Sequence, residues 1–303
     1  MKLPRLHLAA LALGACMVLP VAAHASNKIF VTFAGSMGNV MNLHLGPAFA
    51  KAHQVEFQGD GQGAYGLAHL IAGHQLTPDV FISITPGPIE VLMKAGLAKK
   101  AYPVASTQMC IAYSPKSPFA KDFASGKMPW YKILEMPNAA FGRTDPKTDP
   151  QGQNIVFTMQ LAERYYHQPG LATKILGPIE NPQQIFSEMS LLARLKSGQM
   201  AASSGYLSAV KSLHLPYIKL PVEINLSDPA YKKSWYDKAG FKLNVDGKEK
   251  TVTPQPLVFY AVVPTDAPNP KLGEEFIQFL QSPEGQKMFH DDGYSAPKGD
   301  PLG

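Results

Sequence analysis

The feature that most constrains the fold of this chain is a repeated order of strand and helix in its first hundred residues. Strands are predicted at residues 28–33, 55–58 and 78–82. The helices that follow them are predicted at residues 39–53, 64–72 and 88–95. Strand followed by helix, three times in succession, predicts an α/β fold with a parallel sheet.

The rest of the chain predicts a second domain of similar composition. Further strands are predicted at residues 109–113, 200–203, 217–220 and 256–264. Further helices are predicted at residues 155–166, 183–196, 206–213 and 272–290. A proline-rich break at residues 114–118 indicates a crossing point between domains, and 303 residues suit two domains of about 150 residues each.

The chain begins with the pattern of a secretory signal peptide. A basic start and an apolar run at residues 6–21 precede a small-x-small cleavage site, Ala-His-Ala, at residues 23–25. The run is too short and too interrupted to span a membrane, so we expect removal of the leader and export to the periplasm. Cys16 also lies in a loose lipoprotein cleavage pattern, and a lipid anchor there is the alternative.

Composition argues against several classes of protein. The net charge of +5 is spread along the chain without a basic run, so no nucleic-acid-binding surface is predicted. His69 and His74 are five residues apart, which does not place them on one helix face, so no metal site is predicted. Cys110 is the one cysteine of the predicted mature chain, which excludes an internal disulfide. No cofactor is expected.

A loop at residues 142–154 is dense in Asp, Thr, Pro and Gly and runs into the predicted helix at residues 155–166. Free backbone N–H groups and the positive end of the helix dipole meet at such a junction, which favours binding of an anion. Capping of the helix by Thr148 or Asp149 is the alternative.

Two glycine-containing turns follow the first two strands and admit more than one function. Residues 61–66 fit the G-x-G-x-x-G pattern of dinucleotide-binding folds, but the next strand lacks a terminal acid for the ribose. Residues 34–38 loosely match a nucleophile elbow, which would make Ser36 the nucleophile of a secreted serine hydrolase. No histidine lies in a recognisable catalytic setting. Ser36 is therefore predicted as a helix cap whose hydroxyl, with the Met37 amide, binds an anion.

Five short motifs occur in a recognisable order along the chain. They lie at residues 34–36 (AGS), 78–83 (PDVFIS), 142–152 (GRTDPKTDPQG), 220–229 (LPVEINLSDP) and 279–286 (FLQSPEGQ). Their order and spacing extend over nearly all of the predicted mature chain. Together they resemble the periplasmic molybdate/tungstate-binding proteins of ABC importers, and the tungstate-type branch most of all.

The resemblance implies an α/β fold of two lobes, each a mainly parallel sheet flanked by helices, joined by a hinge and closing on a tetrahedral oxyanion. It implies a lobe I at residues 26–112 and 217–303 and a lobe II at residues 113–216, after a signal peptide at residues 1–25. It also implies a monomeric binding protein, not an enzyme, that delivers its ligand to a membrane permease.

The same resemblance implies which residues bind the anion. Ser36 and Met37 would contact it from lobe I with Ser83 near the cleft, and Asp149 and Gln151 would contact it from lobe II. Ala64 and Tyr206 are the other pocket positions, and Asp60 is predicted to lie next to the pocket. In the tungstate-type branch two carboxylates can also approach the anion, and Asp149 matches one of them.

Two positions depart from the family pattern. Ala64 stands where the family has a serine, and Gly205 stands where the tungstate type has a glutamate. One hydroxyl and the second carboxylate are therefore expected to be absent. Asp60 adds an acid that would repel a dianion unless it is protonated. The same fold with another small anion or an organic ligand is the alternative function.

Overall fold

The computed structural model describes residues 28–245 and 247–303, so the predicted signal peptide and Cys16 lie outside the described residues. The strands of the described part are β1 (Lys28–Ala34), β2 (Glu56–Gln62), β3 (Val80–Ser83), β4 (Tyr102–Ser106), β5 (Met109–Tyr113), β6 (Phe141–Gly142), β7 (Ala202–Tyr206), β8 (Tyr217–Lys219), β9 (Phe241–Val245), β10 (Lys248–Val252) and β11 (Val258–Val262).

Helices occupy most of the remaining chain. They are α1 (Gly38–Val40), α2 (Gly46–His53), α3 (Ala64–Ala72), α4 (Pro86–Lys94), α5 (Ala120–Ser125), α6 (Trp130–Leu134), α7 (Pro150–Tyr165), α8 (Leu171–Leu176), α9 (Glu188–Ser197), α10 (Leu207–Ser212), α11 (Pro270–Gln281) and α12 (Pro283–Asp291). A 3₁₀ turn at Gly35–Met37 joins β1 to α1. No helix of the described residues is long and apolar enough to cross a membrane.

The described strands form one larger sheet in each lobe. The lobe I sheet has the order β2-β1-β3-β11-β4, and the lobe II sheet has the order β6-β7-β5-β8. β1 runs parallel to β2 and β3, whereas β11 runs antiparallel to both of its neighbours. In lobe II, β6 and β7 are parallel and β5 is antiparallel to β7 and β8. The α/β fold is confirmed, but the sheets are mixed rather than mainly parallel.

The antiparallel strands lie next to the places where the chain crosses between lobes. β5 follows β4 after two residues, and β11 follows the long segment at residues 220–257. A parallel neighbour needs a crossover that carries the chain back to the same end of the sheet. β5 and β11 enter directly from the other lobe, so no such return is required. The lobe boundaries implied by the resemblance stay a prediction. They assign most of β5 and all of β8 to lobe I, whereas both strands belong to the sheet with β7 that is named the lobe II sheet here.

The two crossing segments are hydrogen-bonded to each other. The Met109 N–H donates to the Asn225 carbonyl at 2.8 Å, and the Asn225 side-chain amide donates to Gln108 Oε1 at 2.8 Å. The Leu257 N–H donates to the Leu226 carbonyl at 3.0 Å. Both connections between the lobes therefore lie side by side, which is the arrangement a hinge requires.

Two predicted helices differ from the observed ones. The segment predicted as one helix at residues 272–290 is divided, because Ser282 ends α11 and its hydroxyl accepts from the Gly285 N–H to begin α12. The helix predicted from residue 183 begins only at Glu188, with Ser187 as its N-cap. The second difference changes the composition of the cleft.

Candidate functional site

A cavity of about 480 Å³ lies in the cleft between the lobes. Lobe I contributes the turn after β1 and the end of β2, and lobe II contributes the loop before α7 and the start of α9. The lining includes Gly35, Gly61 and Gly63 from lobe I and Thr148, Asp149 and Glu188 from lobe II. Ligands of open α/β sheets bind beyond the carboxyl ends of parallel strands, which is where β1 and β2 end.

Asp149 is the N-cap of α7. Its Oδ1 accepts a hydrogen bond from the Gln151 N–H at 2.9 Å, and Pro150 occupies the first helical position, where a missing N–H costs nothing. The capping alternative is therefore realised, and the same side chain also lines the cleft while only 7% exposed. Capping and a position in the pocket are compatible at this residue.

The loop before α7 is docked on lobe I through one carbonyl group. Thr148 O accepts from the N–H groups of Tyr65 and Gly66, both at 3.1 Å, in the first turn of α3. A Cβ atom added to Gly63 would lie 2.6 Å from this carbonyl oxygen. A glycine is thus required for the lobes to approach so closely, and the lobes are in contact in this structure.

Gln151 connects three parts of lobe II beneath the cleft. Its backbone N–H donates to Asp149 Oδ1, its Nε2 donates to Glu188 Oε1 at 2.7 Å, and its Oε1 accepts from Ser204 Oγ at 2.6 Å. The side chain is 1% exposed, so each of its polar atoms needs a partner. Gln151 fixes the positions of the acidic groups of the cleft.

Glu188 is a buried acid of the cleft that sequence reasoning missed, and Asp145, from the loop before α7, is a second unpredicted acid of the lining. Glu188 is the first residue of α9, is 6% exposed, and lies across the lobe boundary from the turn at Gly35. A Cβ atom added to Gly35 would lie 3.4 Å from Glu188 Oε2. The expectation that the cleft lacks a second carboxyl group is wrong, because Glu188 provides one beside Asp149.

The two carboxyl groups hold their protons more tightly than isolated ones. Burial raises the pKa of Asp149 from 3.8 to about 6, against the opposing hydrogen bond from Gln151. Burial, and then the charge of Asp149, raises the pKa of Glu188 well above its ordinary value, whereas the hydrogen bond from Gln151 acts in the opposite direction. Two neighbouring acids of this kind share protons and titrate as a pair.

The predicted residues of lobe I are buried around the first turn. Ser36 is 3% exposed, and its Oγ has no hydrogen-bond partner among the described residues. It lines a second cavity of about 370 Å³, which shares Gly35 and Met189 with the first. Met37 and Ala64 are fully buried and line neither cavity.

Three other predicted residues lie outside the cavity lining. Ser83 is fully buried and donates to the Thr85 carbonyl at 3.0 Å. Asp60 accepts two hydrogen bonds from the Gln62 side chain, at 3.1 and 2.9 Å. Tyr206 is buried behind α7, where its hydroxyl accepts from Asn154 Nδ2 at 3.0 Å.

Gly205 faces away from the cleft. A Cβ atom added there would lie 2.7 Å from Val210 Cγ2 and 3.7 Å from Cys110 Sγ, within the core of lobe II. Ser204 and Tyr206 extend from the opposite face of β7, toward α7. A glutamate at position 205 of this backbone would therefore not reach Asp149.

No group of three or more His, Cys, Asp or Glu residues that could hold a metal ion occurs in residues 28–245 and 247–303.

Comparison with known proteins decides the family. Residues 29–295 match the family described as bacterial extracellular solute-binding protein. The chain belongs to this family. This solute-binding protein is 29% identical over 290 residues to the molybdate/tungstate-binding protein WtpA of Pyrococcus abyssi, which covers 88% of this chain and 83% of that one. It is 32% identical over 215 residues to WtpA of Thermococcus kodakarensis, covering 64% and 60% of the two chains.

A solved structure supports the same fold. The periplasmic molybdate-binding protein of Azotobacter vinelandii superposes with a TM-score of 0.61 at 15% identity, covering 89% of this chain and all of that chain. The predicted two-lobed binding-protein fold is thus confirmed. The serine hydrolase alternative has no support, because these relatives are binding proteins and Ser36 Oγ has no histidine partner among the described residues.

Proposed function

We propose that this solute-binding protein captures a tetrahedral oxyanion of the molybdate and tungstate class in the cleft and delivers it to the permease of an ABC importer. It acts as a monomer in the periplasm and catalyses no reaction. The observation that carries the proposal is the cavity between the lobes, which is lined from both sides by turns at the ends of β1 and β2 and by the start of α7. The names of the two WtpA relatives support the ligand class.

The polar groups of the cleft favour an anion that is itself protonated, or an anion that accepts hydrogen bonds from protonated carboxyl groups of the protein. The buried Ser36 hydroxyl, which lines the adjoining cavity at the Gly35 turn, is free to donate, and the Glu188 carboxyl group can donate as well where its raised pKa keeps it protonated. Backbone N–H groups at the turns supply the remaining positive potential. One anion that contacts both lobes stabilises the closed form and so shifts the equilibrium between open and closed states.

Calorimetric titration tests this proposal. Purified protein is titrated with molybdate, tungstate, sulfate, phosphate and thiosulfate, and heat is expected from molybdate or tungstate. The proposal is abandoned if none of the five anions gives heat.

A second candidate keeps the fold and changes the ligand to a small organic acid. A volume of about 480 Å³ favours it, because this lies in the range of pockets that hold organic molecules. Native mass spectrometry and elemental analysis of the protein as purified separate the two candidates: an added organic mass supports the second, and stoichiometric molybdenum or tungsten supports the first.

A further inference from the structure

The cavity of the cleft is lined by acidic side chains and by no basic one. Asp145 and Asp149 line it from the loop before α7, and Glu188 lines it from the start of α9. Within the described residues, no lysine, arginine or histidine contributes to this lining. A dianion that enters the cavity therefore meets charge of its own sign, which opposes binding unless protons neutralise the acids.

The two basic side chains of the segment that leads to α7 are engaged elsewhere. The Arg143 guanidinium donates to the carbonyls of residues 178 and 179 at 2.9 and 2.7 Å, and the acid whose charge acts on it is Asp145. Lys147 Nζ lies 2.7 Å from Glu180 Oε2. In the part of the chain that the structure describes, no cation is among the groups that shift the pKa of the other two acids of the cavity.

One buried glutamine positions these two acids. Gln151 donates from its backbone N–H to Asp149 Oδ1 at 2.9 Å and from Nε2 to Glu188 Oε1 at 2.7 Å. Among the hydrogen bonds of the described residues, none reaches the second oxygen of either carboxyl group. A proton on such an oxygen makes it an O–H donor, which an oxygen of a bound anion can accept.

The further ionisable groups around this pair are three tyrosines and one more carboxyl group. They are Tyr206 on β7, Tyr65 on α3, Tyr294 after α12 and Asp60 on β2. Lys196 lines the adjoining cavity at Gly35 rather than this one. Burial raises the pKa of Asp149 to about 6. Above a pH of about 6 this acid is therefore ionised in the empty protein.

Building on the proposed function, we propose that the cleft captures a dianionic oxyanion together with one proton, which Asp149 takes up beside Glu188. The proton comes from the solvent, and the Asp149 carboxyl group then donates it in a hydrogen bond to an oxygen of the anion. Uptake of the proton removes one negative charge from the occupied cleft. The ligand class that fits is an oxyanion without a proton of its own, and Gln151 is a positioning residue for the donor.

Calorimetry of the wild-type protein in buffers of different ionisation enthalpy tests the coupling. Molybdate is titrated at about pH 7.5, and the slope of the apparent binding enthalpy against the ionisation enthalpy of the buffer is expected to show about one proton taken up per anion. The affinity is expected to fall up to about tenfold per pH unit above a pH of about 6, where Asp149 is ionised before binding. An apparent enthalpy that is the same in every buffer overturns the proposal.

Asp149→Asn locates the proton. Asparagine keeps the helix cap through its side-chain oxygen and offers a permanent N–H donor in place of the protonated carboxyl group. The folded variant, verified by circular dichroism, is expected to bind molybdate without proton uptake and with an affinity that does not change over the same pH range. Proton uptake equal to that of wild type, or loss of molybdate binding by the folded variant, contradicts the proposal.

Asp228→Asn is the matched control, because Asp228 caps a short helix outside the cleft by the same type of bond. It is expected to keep the proton uptake and the pH dependence of wild type. Loss of the uptake in this variant as well would show that the proton is not bound at Asp149.

The outcomes also separate this inference from the proposed function. If wild type binds molybdate and takes up no proton, the proposed function stands and the coupling fails. If wild type gives no heat with molybdate, tungstate, sulfate, phosphate or thiosulfate at any of these pH values, the proposed function fails and the coupling fails with it.

Discussion

At the scale of single residues, the cleft contains two buried acids, Asp149 and Glu188, whose pKa values are raised mainly by burial. The folded protein binds a proton at Asp149 up to a pH of about 6, whereas the unfolded chain releases it near its ordinary value of 3.8. Between these values the native state holds more protons than the unfolded state, so its stability falls as the pH rises.

Asp149→Asn makes this pH dependence measurable. Asparagine caps a helix as well as aspartate does but does not titrate. Relative to the variant, the wild type is expected to lose up to about 1.4 kcal/mol of unfolding free energy per pH unit between pH 4 and 6. Urea denaturation at several pH values provides the data, with Asp228→Asn as control, because Asp228 caps a short helix outside the cleft by the same bond. Parallel curves for wild type and Asp149→Asn would contradict the assignment.

Gly205 provides a second test at this scale. Restoring the glutamate of the tungstate type by Gly205→Glu is expected to destabilise the fold by several kcal/mol rather than to strengthen binding, because the new side chain would enter the core beside Val210. Thermal unfolding and molybdate titration together check this. A stable Gly205→Glu protein with tighter molybdate binding would show that β7 can turn this face toward the cleft.

At the scale of elements, the docking of the loop before α7 on α3 depends on the absence of a side chain. Gly63→Ala places a methyl group 2.6 Å from the Thr148 carbonyl and is expected to cost about 1 to 3 kcal/mol and to weaken anion binding. Gly66→Ala is the matched control, since its methyl group would lie 3.9 Å from Thr148 Cβ and alanine favours a helix. Unfolding in urea and calorimetry measure both effects. Equal losses in the two variants would argue against close docking at Gly63.

Local patterns predicted most elements, and long-range pairing explains the late start of α9. The first three strands and their helices follow from sequence periodicity, and the composition of the loop before α7 predicts that helix. Periodicity does not predict where α9 starts, because Arg143 exchanges hydrogen bonds with Gln184 and Phe186 and so holds these residues out of the helix. This partner lies some forty residues away in the chain, and Glu188 became the first helical residue. A serine followed by a glutamate, Ser187 and Glu188, was the available signal for the helix start.

At the scale of the whole molecule, both crossings between lobes are tied together at Asn225, which is 3% exposed. Asn225→Ala removes the side-chain bond to Gln108 and is expected to loosen the hinge, which increases the radius of gyration without added anion and lowers the affinity for molybdate severalfold. Asn244→Ala, an exposed change on β9, is the control. Scattering and calorimetry that do not distinguish the two variants would exclude Asn225 from the hinge.

The two hydrogen bonds that the Thr148 carbonyl accepts make separation of the lobes measurable. The amide protons of Tyr65 and Gly66 are bonded to this carbonyl only while the lobes touch. Their exchange with deuterium therefore requires the lobes to separate, and the protection of these two amides measures the free energy of that separation. Neither a bound anion nor an attached label is needed to observe it.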